Sequence, residues 1–193
     1  MLRATIFRSS WGWVGIAESA KGICAISLPK KTRQEAERSI RKGAGPMTIG
    51  RATGGLQRAR EQLQLYLSGR RRTFTLPMDV RLGTRFQQRV WRVLRRLPYA
   101  SLRSYRWVAS RVGGPRYARA VGNAVGANPI PIIIPCHRIV AHDVSLGGFS
   151  GGLSMKQRLL TLEGTLAELR PRRPPRRKLG GKRRSPAHRT GSA

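Results

Sequence analysis

Acidic residues are scarce in this chain of 193 residues, which has 8 aspartates and glutamates against 39 lysines and arginines. The formal net charge of +31 repels itself unless it meets a polyanion, which predicts nucleic acid as the partner. A basic surface that is merely solvated is the plainer alternative, although such surfaces usually mix both signs. An anionic membrane is a further alternative, but the sequence has no long apolar stretch and no lipidation motif, so we expect no membrane contact.

Cysteine and histidine are also rare. The two cysteines, Cys24 and Cys136, exclude a disulfide framework, and the histidines at 137, 142 and 188 lack zinc-ligand spacing. We therefore predict no metal and no cofactor. The N-terminus alternates like a strand and lacks the apolar block of a signal peptide, so we expect a reducing, cytoplasmic location that keeps Cys136 a thiol.

The pattern of apolar residues predicts an N-terminal α/β domain over residues 1–80 and a helical domain over 81–170. In the first domain, apolar runs separated by turn residues predict an antiparallel meander over 4–8, 13–17 and 23–28. Residues 30–54 are polar and are predicted to be loop-like, or helical over 32–41. Helical spacing predicts a helix over 56–67. A further strand is predicted over 74–78, where the proline favours a sheet edge.

The second domain has the pattern of short helices. Thr84 is the predicted cap of a helix over 85–97, Ser104 of one through 112, and Ser154 of a last helix over 155–170. Pro115 opens a further predicted helix through 125, and Gly113-Gly114 forms the turn before it. The helix through 112 and this one are a helix-turn-helix candidate. Helical hairpins are common in proteins that bind no DNA, but the charge favours DNA contact.

Residues 171–193 consist mainly of proline, arginine, lysine and glycine, with no acid. Such a segment has too little apolar surface to form a core. We predict a disordered basic tail that raises the general affinity for DNA.

One segment has the residues for covalent chemistry. Residues 129–140 read Pro-Ile-Pro-Ile-Ile-Ile-Pro-Cys-His-Arg-Ile-Val. The β-branched run between prolines predicts an extended, buried segment that holds Cys136 in a fixed interior place. A thiolate is a strong nucleophile, and a neighbouring imidazole is a base that can generate it near neutral pH. Alone the pair is a weak signal, because a buried cysteine is more often an inert core thiol.

The wider sequence resembles the O6-alkylguanine-DNA alkyltransferases, also called methylated-DNA–protein-cysteine methyltransferases. Several motifs at consistent spacing over about residues 84–164 make the resemblance far more specific than Pro-Cys-His alone. In chain order they are Phe86-Gln87-Gln88-Arg89-Val90-Trp91, Pro98-Tyr99, Ser104-Tyr105, Ala118-Arg119-Ala120-Val121-Gly122, Asn128-Pro129, Ile134-Pro135-Cys136-His137-Arg138-Ile139-Val140, Gly147-Gly148-Phe149, Gly151-Gly152-Leu153, Lys156, Leu159-Leu160 and Leu162-Glu163.

This resemblance implies an α+β protein, with a small N-terminal ribonuclease-H-like α/β domain followed by an all-helical winged-helix or helix-turn-helix DNA-binding domain. It also implies direct repair, in which Cys136 takes the alkyl group from O6 of guanine in double-stranded DNA and keeps it. O4-alkylthymine is left open as a further substrate. A thioether offers water no carbonyl to attack and has a poor leaving group, so each molecule, expected to be a monomer, acts once.

The same resemblance implies roles for the site residues. His137 takes the thiol proton through a water while Glu163 orients its imidazole, as in other base-and-orienter pairs. Simpler roles stay open for these residues. His137 is then a structural histidine, Glu163 a carboxylate that faces solvent, and Tyr105 a core tyrosine. The remaining expected roles are hydrogen bonding to guanine N3 by Tyr105, contact near O6 by Ser150, reading of the exocyclic amine by the carbonyls of Cys136 and Ile139, bracing of the cysteine segment by Asn128, and tethering of the adjacent loop by Lys156.

An interior cysteine requires the damaged base to leave the duplex. By resemblance, Arg119 enters the base stack from the minor groove, and small residues, with Ala124 among them, keep that helix face thin. The plainer reading of Arg119 is one more surface arginine. The expected DNA contacts are Arg119, Ala118, Gly122, Arg138 and Tyr105.

Two departures from the family pattern affect the site region. Ala100-Ser101-Leu102 follows Pro98-Tyr99, where the family commonly has a glycine, and Tyr117 occupies a position that is usually small. The main alternative function is a non-catalytic protein that binds alkyl lesions and recruits other repair factors, but such proteins lack the cysteine. A helix-turn-helix transcription regulator would give Cys136 no function. A cysteine hydrolase would differ from the expected single-use protein, because it would catalyse repeated turnovers.

Overall fold

A four-stranded sheet forms the N-terminal part of the protein. We describe residues 1–169 from a computed structural model. Strands β1 (Leu2–Ser9), β2 (Gly12–Ser19) and β3 (Gly22–Ile26) pair antiparallel, and β4 (Met47–Ile49) adds parallel to β1. The strand order is therefore β3-β2-β1-β4. The predicted meander is confirmed, with strand ends that differ by one or two residues.

Two helices cover the two faces of this sheet. Helix α1 (Arg33–Ala44) packs on one face and α2 (Gly54–Leu67) on the other. Successive side chains of a strand point to opposite faces. Val14 and Ile16 accordingly join the core under α2, whereas Ala17 joins the smaller core under α1. The helix predicted over 56–67 is confirmed. Of the two alternatives for residues 32–41, the helix is correct.

The strand predicted over residues 74–78 is wrong. In this stretch only Met78 forms a bridge, to Ile23, and the Pro77 carbonyl accepts a hydrogen bond from the Ile23 amide at 2.9 Å. Pro77 has no N–H of its own to continue a ladder. The chain therefore crosses the outer edge of β3 instead of extending the sheet.

The C-terminal part is helical, as predicted. Thr84 and Ser104 each accept a hydrogen bond from a backbone amide in the first turn of the helix that follows, so both predicted caps are confirmed. The helices are α3 (Arg85–Arg95), α4 (Tyr105–Val112), α5 (Ala118–Gly126) and α6 (Leu153–Glu163).

The prediction for the last helix is wrong at both ends. Helix α6 begins at Leu153, after Gly152, and has no side-chain cap from Ser154. It ends at Glu163 because Gly164 turns into the left-handed region at φ 79°. The predicted tail, residues 171–193, lies outside the described residues.

Helices α4 and α5 pack against each other and against α3, on either side of Gly113-Gly114 and a 3-10 turn at Pro115–Tyr117. A short parallel ladder, β5 (Arg103–Ser104) with β6 (Ile139–Val140), joins the start of α4 to the chain just after Cys136. The main hydrophobic core runs from the N-terminal sheet to α6. The predicted α+β class is confirmed. None of the helices within residues 1–169 has both the length and the apolar character needed to cross a bilayer.

Candidate active site

Cys136 follows a tightly folded turn. Every residue from Ile130 to Ile134 is buried, as predicted, but the run is not extended. The Ile134 amide donates to the Ile130 carbonyl at 2.9 Å, and Ile132 takes a left-handed conformation at φ 75°. The turn leads into the 3-10 segment Cys136–Arg138. Cys136 is thus held between a hydrogen-bonded turn and a 3-10 segment.

Asn128 holds this turn together. Its Oδ1 accepts from the Ile130 amide at 3.0 Å, and its Nδ2 donates to the Ile134 carbonyl at 2.8 Å. Because these two backbone partners fix which end of the amide is the donor, the second hydrogen of Nδ2 is directed to Cys136 Sγ, 3.1 Å away. The side chain both braces the turn and contacts the sulfur.

The Cys136 thiol is buried, with 2% of the residue exposed. Burial raises its pKa, against the opposing effects of the Asn128 amide, nearby backbone amides and the positive charge of Lys156. The thiol is therefore protonated in the resting protein and needs a base to become a nucleophile.

His137, the adjacent residue, has the properties of such a base. Burial lowers the pKa of its imidazole, although Glu163 acts in the opposite direction, so the ring is neutral near pH 7. Its Nε2 lies 3.0 Å from Glu163 Oε1. A carboxylate only accepts hydrogen bonds, so the ring proton lies on Nε2. Nδ1 is buried without a hydrogen-bond partner among residues 1–169, and in this tautomer it carries a free lone pair.

Glu163 is the most heavily coordinated side chain of the site. Besides His137, it accepts from Arg138 (Nη2 to Oε1, 2.7 Å; Nε to Oε2, 2.9 Å) and from the Tyr66 hydroxyl (2.6 Å to Oε1). The Ala100 amide lies 3.3 Å from Oε2. Burial alone would raise the pKa of Glu163, but hydrogen bonds from His137 and Arg138, with their charges, lower it to about 2. The carboxylate is therefore ionised wherever the protein is folded near neutral pH.

Our expectation that Arg138 contacts DNA is corrected by its position. Only 5% of the residue is exposed, and its guanidinium bonds Glu163 and the Leu97 carbonyl. A buried carboxylate needs a paired cation, and Arg138 is the arginine that reaches it. Its role is inside the site rather than on the surface.

Lys156 ties the site loop, which we define as residues 141–152, to the cysteine segment. It is fully buried on α6, and its ammonium donates to the Ile139 carbonyl at 2.5 Å and to the carbonyls of Leu146 and Gly148. Burial lowers its pKa to about 8, while the negative charge that Cys136 has as a thiolate opposes this effect. The tethering role expected for Lys156 agrees with these contacts.

Tyr105 contacts the site loop, which also carries Ser150. The half-buried Tyr105 donates to the Gly148 carbonyl at 3.1 Å, and burial followed by the charge of Cys136 raises its pKa, so the hydroxyl remains a donor. Ser150 is exposed on the site loop. The Cys136 carbonyl accepts from the Ile139 amide, and the Ile139 carbonyl accepts from Lys156.

Helix α5 presents Arg119 to solvent, with Ala118 and Gly122 partly exposed. A side chain added at Gly122 would meet no neighbouring atom, so this face is open and shallow. Ala124, by contrast, is buried and its carbonyl accepts from Trp91 Nε1 at 2.7 Å, so it does not belong to that face. The bulky Tyr117 packs toward Phe86, with ring centres 6.0 Å apart.

Two residues of the carboxylate network were not assigned to it from the sequence. Tyr66 was given no role, and Arg138 was expected to contact DNA. Tyr66 contributes to the apolar periodicity of α2 and carries no other local signal. Arg138 stands in a chain with 39 basic residues, where one arginine resembles another. Cys24 lies on β3 under α1, far from this network, and burial raises its pKa to about 11. Among residues 1–169, no three histidine, cysteine, aspartate or glutamate side chains cluster to hold a metal ion.

Family profiles match both parts of the chain. One described as the ribonuclease-like domain of 6-O-methylguanine DNA methyltransferase matches residues 2–80, and one described as its DNA binding domain matches residues 85–165. A mixed sheet-and-helix unit joined to a helical DNA-binding unit with a buried cysteine defines a DNA-modifying cysteine transferase.

Relatives with known names agree with the profiles. The methylated-DNA–protein-cysteine methyltransferase of Mycolicibacterium paratuberculosis is 49% identical over 103 residues, which is 53% of this chain and 62% of that protein, just under two thirds. The inducible enzyme of the same name from Bacillus subtilis is 36% identical over 148 residues, 77% of this chain and 82% of that protein. The chain belongs to the family of methylated-DNA–protein-cysteine methyltransferases.

A solved structure shows the same architecture. The crystal structure of Mycobacterium tuberculosis OGT in complex with DNA matches with a TM-score of 0.70 at 34% identity, over 85% of this chain and 94% of that chain. The predicted ribonuclease-like and DNA-binding architecture is thereby confirmed.

Proposed function

We propose that this protein repairs O6-alkylguanine in double-stranded DNA by moving the alkyl group irreversibly to Cys136. The observation that carries the proposal is the buried sulfur held by Asn128 next to a neutral His137 whose Nε2 faces Glu163. We further propose that residues 1–80 and 81–170 form the two domains, and that the protein acts as a monomer. The cytoplasm is the expected location, because the genomic DNA lies there in the bacteria from which the relatives come.

The transfer is a displacement at carbon. The S–H proton leaves for Nδ1 of His137, through a water, and the sulfur lone pair forms the new S–C bond. The C–O6 bond breaks as that bond forms, and its electrons pass into the guanine ring. Tyr105 donates to N3 to stabilise this charge, and the proton lost from sulfur finally restores N1–H of guanine. No step of this reaction regenerates the thiol.

Substrate access follows from the burial of the sulfur. Ser150 and the carbonyls of Cys136 and Ile139 would read the base, with Asn128 and Lys156 supporting the turn and the loop. Because only 2% of Cys136 is exposed, the site loop must shift from Tyr105 to admit a base. We propose that the base leaves the duplex from the minor-groove side, with Arg119 filling its place and Ala118 and Gly122 giving the helix a close approach.

The test is intact-mass analysis after incubation with duplex DNA that contains O6-methylguanine. We expect one added methyl group, located on the peptide with Cys136, in a single burst. C24A should behave like the parent protein, and C136A should gain nothing. Repeated turnover would exclude self-alkylation, and an unmodified Cys136 would favour the non-catalytic, lesion-binding alternative.

A second arm tests base extrusion. R119A should slow transfer from duplex DNA but not from the free base O6-benzylguanine, because only the duplex requires a base to leave the stack. R58A, at an exposed position on α2, is the charge-matched control and should affect neither reaction. Equal slowing of R119A on both substrates would contradict this role.

A further inference from the structure

Tyr66 lies at the end of α2, far along the chain from the cysteine, yet its hydroxyl ends inside the site. We propose that Tyr66 is a positioning residue for alkyl transfer, whose hydroxyl fixes the Glu163 carboxylate and thereby the proton on Nε2 of His137. The inference deepens the proposed function and rests on it. It makes the N-terminal part of the chain a contributor to the site.

The geometry of the hydroxyl supports this role. Tyr66 is fully buried, and its oxygen lies 2.6 Å from Glu163 Oε1 and 3.4 Å from His137 Nε2. The shorter distance makes the carboxylate the acceptor of the phenol hydrogen. Tyr66 therefore touches the same oxygen that orients the imidazole.

Three residues donate to that one oxygen. Tyr66, His137 Nε2 and Arg138 Nη2 lie 2.6, 3.0 and 2.7 Å from Oε1. With the phenol hydrogen and the guanidinium in place, Oε1 is held where the remaining donor, Nε2–H, reaches it. Burial and the charge of Glu163 raise the pKa of Tyr66, so the phenol does not ionise and stays a donor.

The ring is held by packing and not by the carboxylate alone. Its centre lies 5.3 Å from that of Phe74, with the two rings tilted. It lies 6.3 Å from that of Tyr99, with the two rings edge-on. A phenylalanine at this position keeps these apolar contacts and loses only the hydroxyl. The variant Y66F therefore isolates the hydrogen bond from the packing.

The charged groups around Tyr66 and Glu163 determine whether loss of the Tyr66 hydroxyl raises or lowers the pKa of His137. Glu163, at the end of α6, faces Tyr66 of α2, His137 and Arg138 of the cysteine turn, and the Ala100 amide. The charge of Lys156 on α6 also acts on His137. Loss of the Tyr66 hydroxyl leaves more of the carboxylate charge for His137, so Y66F should raise the pKa of the imidazole.

The experiment combines NMR with single-turnover kinetics on the full chain. The chain has three histidines, so the His137 signals can be assigned by replacing His142 and His188 in turn. In Y66F we expect the imidazole pKa to rise by about half a unit or more, the acid limb of the rate–pH profile to move up with it, and transfer to slow about tenfold. Y99F, which loses a hydroxyl bonded to the Leu162 carbonyl, is the matched control and should leave both readings unchanged.

Each outcome bears on the proposal. A Y66F protein that is less stable but has the parent imidazole pKa and rate–pH profile would make Tyr66 a packing residue and overturn the inference. If Y66F does not fold, NMR of the parent protein still tests it, because a proton on Nδ1 of His137 would overturn it and a proton on Nε2 supports it. The NMR readings do not depend on methyl transfer, so a failure of the proposed function is recognised separately.

Discussion

The side-chain amide of Asn128 donates to the sulfur of Cys136 across 3.1 Å, while both of its polar ends are fixed to the backbone of the same turn. This contact stabilises the thiolate relative to the thiol. It also ties the position of the nucleophile to the shape of the turn, so one side chain controls both charge and placement.

Substitution of Asn128 tests this double role. We expect N128A to slow transfer at least about tenfold, since it removes a group that supports the reacting atom. N128D matches asparagine in shape and keeps the acceptor for Ile130, but it places an acceptor against the Ile134 carbonyl and the sulfur. It should therefore be at least as slow as N128A in single-turnover assays. A nearly active N128D would mean that shape, and not the donated hydrogen, matters.

Acid should destabilise the fold through Glu163. Its pKa is about 2 in the fold against an ordinary 4.5, so its contribution is complete above about pH 4.5 and is lost as the pH falls toward 2. A difference of this size corresponds to about 3 kcal/mol. His137 adds in the same direction, because its lowered pKa makes the unfolded chain the better proton acceptor below pH 6.5.

Chemical unfolding at a series of pH values measures this effect. E163Q should be less stable than the parent at neutral pH, because Arg138 stays buried without its partner. The difference in unfolding free energy between E163Q and the parent should narrow as the pH falls from 4.5 toward 2. Over that range the parent loses the ionised carboxylate that the variant already lacks. Parallel stability curves over that range would contradict the assignment.

Ala100 occupies a left-handed backbone conformation, φ 55°, at the position where the family commonly has glycine. An L-residue with a Cβ is strained there. We expect A100G to stabilise the protein by up to about 1 kcal/mol, because the relief of strain exceeds the added freedom of the unfolded chain. A127G is the control, since Ala127 has an ordinary φ of −87° and should lose about 0.5–1 kcal/mol in the same unfolding assay.

Lys156 should be needed for the order of the site loop. K156M keeps the apolar length and removes a donor from the carbonyls of Ile139, Leu146 and Gly148, which we expect to cost at least about 2 kcal/mol. Limited proteolysis should show faster cleavage within residues 141–152. K42M, at an exposed lysine on α1, should change stability by less than about 0.5 kcal/mol. A loop equally resistant in both variants would argue against the tether.

Local features of the sequence were sufficient to predict several elements. Thr84 and Ser104 cap their helices because a cap depends only on the residues of the next turn. Ser154 is not the cap of α6, because Gly152, with a positive φ, precedes the helix. Gly164, also with a positive φ, ends it. The buried run before Cys136 was foreseen, but its turn depends on the Asn128 side chain and on the conformation of Ile132, which composition does not reveal.

The contacts that complete the site are long-range, and this is why the sequence alone did not predict them. Glu163 bonds Arg138 across 25 residues and Tyr66 across 97. No periodicity or motif links such positions. The resemblance to a family pointed to Cys136, His137 and Glu163, whereas the inward turn of Arg138 and the reach of Tyr66 depend on how α2 and α6 pack around the cysteine turn.

The crossing at Pro77 has a consequence for self-association. The outer side of β3 is already occupied, by Pro77 and Asp79 at Ile23 and by the Pro129 carbonyl at the Ile26 amide. An incoming strand from another molecule would have to displace these bonds, including the one that anchors the residue next to Asn128. Edge-to-edge growth of the sheet on that side is therefore blocked by the same backbone contacts that connect the sheet to the cysteine turn.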